Sequence, residues 1–158
     1  MPLIVAGSSV TVKDAICREP VITCDFFPTI AEIAGIRELP ESLDGSSIAG
    51  LLKDPGEALK RDAIYWHYPH YHPGGAEPHA AVRYRDFKLI EFYENGSLEL
   101  YNLKEDIGEK RNLACEMPGK VSKLHEMLRS WQKEMDAQMP RPNPDYDPDS
   151  ARFHAGAW

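Results

Sequence analysis

The stretch Ala80–Leu113, AAVRYRDFKLIEFYENGSLELYNLKEDIGEKRNL, decides the fold. Two runs rich in aromatic and branched residues, Phe87–Tyr93 and Ser97–Asn102, flank Glu94-Asn95-Gly96. Asn-Gly supplies the positive φ angles of a tight hairpin turn, so the two runs read as paired antiparallel strands. Upstream, Ala80–Tyr84 is a further strand, and Arg85-Asp86 is a polar connection of the length that joins antiparallel neighbours. The result is a three-stranded meander. After Asn102 the alternation stops, and a polar loop bends at Gly108 between the anchors Leu103 and Leu113.

Working outward, Ala63–Tyr68 reads as a fourth strand, followed by a loop, Pro69–Pro78, with Gly74-Gly75 and dense in histidine and tyrosine. Pro118–Met139 is the clearest helix. Pro118 starts it, and Val121, Leu124, Leu128, Trp131 and Met135 recur at spacings of three and four, opposite a face of Lys123, Glu126, Arg129, Lys133 and Glu134. This predicts an α+β fold in which a long helix clamps a four-stranded antiparallel sheet. Trp131 is expected in the core seam, where truncation to Ala costs about 3 to 5 kcal/mol. Beyond it, Pro140, Pro142, Pro144 and Pro148 cannot continue a helix, and an extended tail anchored by Phe153 and Trp158 is expected over 140–158.

The first 55 residues have another character. Leu3-Ile4-Val5-Ala6 is a continuous apolar run that suits a strand buried on both faces, yet no neighbour for it is evident. A helix follows from about Asp25 to Ala34, with Asp25 as N-cap, Pro28 in the first turn and Gly35 as the left-handed C-cap. Phe26, Ile30 and Ile33 form its apolar stripe, with Phe27 and Ala34 beside them. Leu43-Asp44-Gly45-Ser46-Ser47 turns the chain, Ser46 or Ser47 caps a short helix to Leu52, and Asp54-Pro55-Gly56 breaks it. The expected divisions are 1–55, 56–139 and the tail.

Two sets of residues, in this order, resemble the C-terminal third of the sulfatases, hydrolases of the alkaline-phosphatase-like superfamily. The first is Asp25-Phe26-Phe27-Pro28-Thr29-Ile30 through Gly35, then Leu43-Asp44-Gly45-Ser46-Ser47. The second is Lys88-Leu89-Ile90, the hairpin, Leu100-Tyr101-Asn102-Leu103, Asp106, Glu109 and Asn112-Leu113. The resemblance spans roughly residues 1–135. It implies that the apolar run and first helix are the last strand and helix of a large α/β domain missing here, with Met1 an artificial or truncated start, and that residues 56–139 are the C-terminal subdomain. Asp25, Gly35, Lys88, Tyr101, Glu109, Asn112 and Trp131 are then structural positions, Glu109 and Asn112 tying down the loop after the last strand.

The same resemblance implies calcium and a formylglycine in the complete enzyme. The formylglycine arises in a Cys/Ser-x-Pro/Ala-x-Arg motif, and none of Cys17, Cys24 and Cys115 has that spacing. The family's aspartate pairs for calcium, a hard ion that takes oxygen ligands, are also missing. The expectation is that this chain completes the fold and shapes the substrate pocket of a sulfuric ester hydrolase, and is inactive alone. The alternatives are the corresponding part of a phosphodiesterase or phosphonate hydrolase, and a stand-alone binding module. The module is disfavoured because residues 1–35 present apolar surface with nothing to cover it.

For substrate contact the candidates are His67, His70, His72 and Arg83. The His-x-x-His-x-His spacing could ligate a transition metal, but it lacks carboxylates to orient the rings. His79 belongs to the same set. By position in the resemblance, a loop wall facing a sulfated sugar is preferred to a metal site, with solvated loop histidines as the plain alternative. Arg83, Arg85 and Lys88 could hold a sulfate through charge-assisted bonds, although for Arg85, beside Asp86, and for Lys88 ion pairs within the fold are the favoured reading.

Composition sets the remaining limits. A net charge of −7 argues against nucleic acid and anionic membrane, which require a basic surface. No apolar run approaches a membrane span, and the first residues lack the basic leader of a signal peptide. Three cysteines without a C-x-x-C pair read as buried free thiols, with a Cys17–Cys24 bridge as the alternative in an exported parent. The expected partners are the missing catalytic domain, a sulfated small molecule or sugar, and a second copy of the chain through exposed apolar surface. The compartment stays open between periplasm, lysosome and secretion.

Overall fold

The computed structural model describes residues 2–7, 11–72 and 74–146, in two compact units, Met1–Arg61 and Asp62–Trp158. The second unit holds four strands, β1 (Ala63–Tyr68), β2 (His79–Tyr84), β3 (Phe87–Phe92) and β4 (Leu98–Asn102). They form one antiparallel sheet in the order β1-β2-β3-β4. The register aligns Tyr65, Val82, Leu89 and Leu100 in a row across it. Because side chains alternate along a strand, that row shares one face with Ala80. The helix Pro118–Glu134, the third in the chain and here α3, covers this face with Leu124 and Leu128, and the six aliphatic side chains form the core. Each large one buried there contributes on the order of 1.5 to 3 kcal/mol.

In the second unit three details depart from the sequence reading. Helix α3 ends at Glu134, five residues before Met139. Asp136 takes φ +48°, and the amides of Asp136 and Ala137 donate to the carbonyls of Lys133 and Gln132, a Schellman closure built on aspartate. Met135 is therefore the cap and is exposed, while Gln132, four residues after Leu128, takes the buried position. Trp131 is only half-buried and lies flat on Tyr65, ring centroids 4.9 Å apart. The hairpin is also longer than two residues. Gly96 has φ +66° and Asn95 does not have a positive φ; the amide of Phe92 donates to the Ser97 carbonyl, and the Asn95 side chain accepts from the Ser97 amide at 2.8 Å. The tight turn lies between β2 and β3, with Arg85 at φ +55°.

In the first unit a short 3-10 turn, Thr23–Asp25, leads into α1 (Phe26–Ile33), and α2 (Ala49–Lys53) follows. Asp25 sits before α1 but makes no side-chain cap to it. Its carboxylate instead accepts from the amides of Ile22 (2.8 Å) and Ser46 (3.0 Å), and Arg61 grips both oxygens at 2.6 and 2.8 Å. Arg61 also donates to the Pro20 carbonyl at 2.7 Å. Gly45 makes this possible: a Cβ there would lie 2.0 Å from the Cys24 carbonyl oxygen, so only glycine lets Ser46 come this close. The Thr29 hydroxyl completes the joint, donating to the Asp25 carbonyl and accepting the Ile48 amide at 2.9 Å.

α1 buries Pro28, Thr29 and Ala31, so the stripe of Phe26, Phe27, Ile30 and Ile33 faces outward, with Ile30 66% exposed. Gly35 closes it at φ +74°, its amide and that of Ile36 donating to Glu32 and Ala31. The short helix α2 carries no side-chain cap at its preceding residue, Ile48, although the Ser47 hydroxyl accepts the Ala49 amide. Leu3–Ala6 forms no strand, since a strand exists only through the hydrogen bonds of a neighbour, and Ile4 is 88% exposed. All three cysteines are free and exposed, contrary to the buried thiols expected. Most of the tail reading, including Phe153 and Trp158, lies outside the described residues.

Candidate functional site

Three of the histidines gather around one ring. Tyr68, the last residue of β1, has His70, His72 and His79 at centroid distances of 5.8, 6.4 and 5.7 Å. The chain reverses beyond it because the His72 amide donates to the Ala76 carbonyl and the Gly75 amide donates to the His72 carbonyl. The His72 Nδ1 accepts the Gly74 amide at 2.9 Å. Two ties fix this loop to the β3–β4 hairpin. The Tyr93 amide donates to the Pro78 carbonyl at 2.9 Å, and the Tyr71 hydroxyl donates to Glu94. That Glu94 bond is the main cause of a Tyr71 pKa raised to about 12.

His67 is not part of that group. One residue before Tyr68, it takes the opposite face of β1, where its Nδ1 lies 2.6 Å from the Tyr93 hydroxyl and its Nε2 lies 3.0 Å from the Gln138 carbonyl. A carbonyl only accepts, so Nε2 carries the proton. Arg83 is remote from both, at the Tyr84 end of β2, and its Nε approaches only the Arg85 carbonyl, at 3.4 Å.

Under α3 the sheet carries a polar network that no local sequence pattern announces. Glu91 of β3 is almost wholly buried and accepts from Arg129, with His125 Nε2 3.3 Å away. Buried Gln132 donates to the Tyr93 hydroxyl at 2.8 Å, linking α3 to His67 through one phenol. Burial, then the Glu91 charge, push the Tyr93 hydroxyl up to about 12, against the opposing pull of Arg129 and Gln132. Glu91 follows the apolar alternation of β3 as a core-facing position, and Gln132 falls at i+4 from Leu128. Those two registers are the only signals that could have found them.

The remaining structural candidates cluster around β4. Lys88 Nζ bridges both oxygens of Glu109 at 2.8 Å each. Asn112 accepts from the amides of Leu100 and Ala114, and the Leu113 amide donates to the Leu100 carbonyl, so the loop after β4 folds back onto the strand. Tyr101 donates to Glu99 at 2.8 Å, and burial followed by that carboxylate raises its pKa to about 12.

Among the described residues no three His, Cys, Asp or Glu side chains are placed to hold a metal ion. The carboxylate of Asp25, the most deeply buried acid, has both oxygens occupied by N–H donors and does not fit a calcium ligand. No helix among the described residues is long and apolar enough to cross a membrane.

The comparisons with known proteins agree with this architecture. The family described as N-sulphoglucosamine sulphohydrolase, C-terminal, matches residues 1–138. A sulfatase of Formosa agariphila is 35% identical over 147 residues, covering 83% of this chain and 26% of that protein. An N-acetylglucosamine-6-O-sulfatase of Bacteroides thetaiotaomicron is 31% identical over 140 residues, 85% of this chain and 25% of that protein. A solved structure described as a complex with its substrate D-glucosamine-2-N,6-O-disulfate superposes with a TM-score of 0.59 at 32% identity, over 81% of this chain and 25% of that one. The chain belongs to the sulfatases and corresponds to their C-terminal domain. It spans about a quarter of the length of these relatives, whose family implies calcium and formylglycine in the complete enzyme.

Proposed function

We propose that this chain completes the fold of a sulfuric ester hydrolase and supplies one wall of its substrate pocket, without providing the nucleophile or the metal ligands. The family match over residues 1–138 carries the reading. The three cysteines lack the formylglycine spacing, and both oxygens of the buried Asp25 carboxylate are taken by N–H donors. In this reading residues 1–55 finish the large α/β domain: Leu3–Ala6 finds its strand partners there, and Phe27 and Ile30, 56% and 66% exposed, pack against it. Residues 56–139 are the subdomain.

Substrate contact falls to the loop beyond β1. Aromatic and imidazole rings suit stacking and hydrogen bonding with a sugar, and relatives include enzymes whose names specify sulfated sugars. Of the candidates, the His70 ring and the His72 Nε2 have no hydrogen-bond partner among the described residues, whereas both nitrogens of His67 are engaged within the fold. Purified chain of 158 residues should not hydrolyse a nitrophenyl sulfate above the buffer blank. Turnover that survives repurification and follows the protein peak would overturn the assignment.

A further inference from the structure

The outer face of the sheet, opposite α3, holds a groove of about 500 Å³, within the range of about 300 to 1,000 Å³ usual for small-molecule sites. Ile90 and Phe92 contribute its apolar lining, and His79, Asn95 and Glu99 are among its polar groups, with Glu77 at one side. The loop ending at Pro78 and the β3–β4 hairpin bound it, held together by the Pro78–Tyr93 and Tyr71–Glu94 bonds. It is therefore bordered by ties that span the two segments.

Its formal charge is one-sided, although Asn95 and Ser97 also offer hydrogen-bond donors. Glu99 is oriented by the Tyr101 hydroxyl, which donates to Oε2, and Oε1 has no hydrogen-bond partner among the described residues. His79 Nδ1 lies 2.7 Å from the Glu77 carbonyl and so carries a proton there. Two carboxylates and one imidazole stand beside an aromatic ring, and no lysine or arginine is among the lining residues. Such a surface disfavours sulfate by like-charge repulsion. It favours a ring that offers hydrogen-bond donors and, above all, an ammonium group.

We propose that this groove is a subsite for an unsulfated, amine-bearing sugar ring, stacked on Phe92 and held by Glu99. The proposal rests on the reading of the parent as an enzyme acting on sulfated glycans, and it deepens that reading by assigning this chain a sugar unit other than the one that bears the reacting sulfate.

The test is a titration of the 158-residue chain followed by amide NMR. The probes are glucosamine, N-acetylglucosamine and D-glucosamine-2-N,6-O-disulfate. Glucosamine should shift the amides of Phe92, Ser97 and Glu99 saturably and bind most tightly. Glu99→Gln, which keeps the bond to Tyr101, should weaken glucosamine by about fivefold, the order of one partly exposed charge pair. It should leave N-acetylglucosamine nearly unchanged. Phe92→Ala should weaken both amino sugars alike, and if that variant does not fold, Glu99→Gln decides alone. Equal or tighter binding of the disulfate at these amides, the absence of saturable shifts with glucosamine, or indifference to Glu99→Gln would overturn the proposal. This readout is binding and does not depend on hydrolysis, so sulfatase turnover by the isolated chain would overturn the function proposed above without touching the groove.

Discussion

At the scale of single residues, the Asp25–Arg61 pair shows how much of the first unit depends on one carboxylate. Burial by itself would raise the Asp25 pKa, but the hydrogen bonds from Arg61, Ile22 and Ser46, together with the Arg61 charge, outweigh it and hold the pKa below 3.8. A native pKa below the unfolded value means that the folded state binds the proton less readily. Its stabilising contribution is complete above the ordinary carboxylate range and is lost as pH falls through that range toward the lowered native value. Asp25→Asn should cost about 3 kcal/mol at neutral pH by leaving Arg61 uncompensated. It should also flatten the acid limb of the stability profile. Hydrogen exchange at the Ile22, Ser46 and Ile48 amides reports both effects, and unchanged protection would refute the role. Gly35 offers a second residue-scale test. A Cβ there meets open space, so Gly35→Ala should cost only the left-handed backbone penalty, about 1 to 2 kcal/mol in denaturant unfolding.

At the scale of elements, α3 and the sheet separate aliphatic burial from aromatic cover. Leu128 is fully buried, whereas Trp131 is half-buried on Tyr65. Leu128→Ala should therefore destabilise by about 3 to 5 kcal/mol and Trp131→Ala by only about 2 to 3, measured as denaturation midpoints at constant slope. The reverse order would mean that the helix packs through its aromatic rather than its leucines. The same interface predicts that Tyr93 ionises near 12, and an alkaline ultraviolet titration of the parent and a Tyr93→Phe variant isolates that phenol. A phenol lost from the titration near 10 would show that its network does not form.

These elements were legible to different degrees, for physical reasons. Each of the four strands β1–β4 falls within one residue of the span read from its aromatic and branched residues, whereas Leu3–Ala6, also read as a strand, forms none. The helix start was legible because Pro118 marks it; its end was missed because aspartate, not glycine, takes the left-handed position at Asp136. The hairpin was found but its turn was misread, since Asn95 serves as a side-chain acceptor and only Gly96 takes positive φ. Arg61 was invisible because it meets Asp25 across 36 positions of sequence. In the candidate site, the loop histidines stood out by density, whereas the turn of His67 to the α3 face follows from strand register, which composition does not reveal.

At the scale of the molecule, the exposed stripe of α1 and the unpaired run Leu3–Ala6 leave apolar surface that a catalytic domain would cover in the proposed enzyme. The loop beyond β1 then meets the glycan but not the reacting sulfur. The most direct measurement is kcat/KM of the complete enzyme carrying His70→Ala or His72→Ala, on a sulfated sugar and on a small aryl sulfate. The account predicts a loss of about tenfold on the sugar, corresponding to about 1.4 kcal/mol of transition-state binding, with the aryl sulfate nearly unchanged. Equal losses on both substrates, or no loss on either, would contradict it.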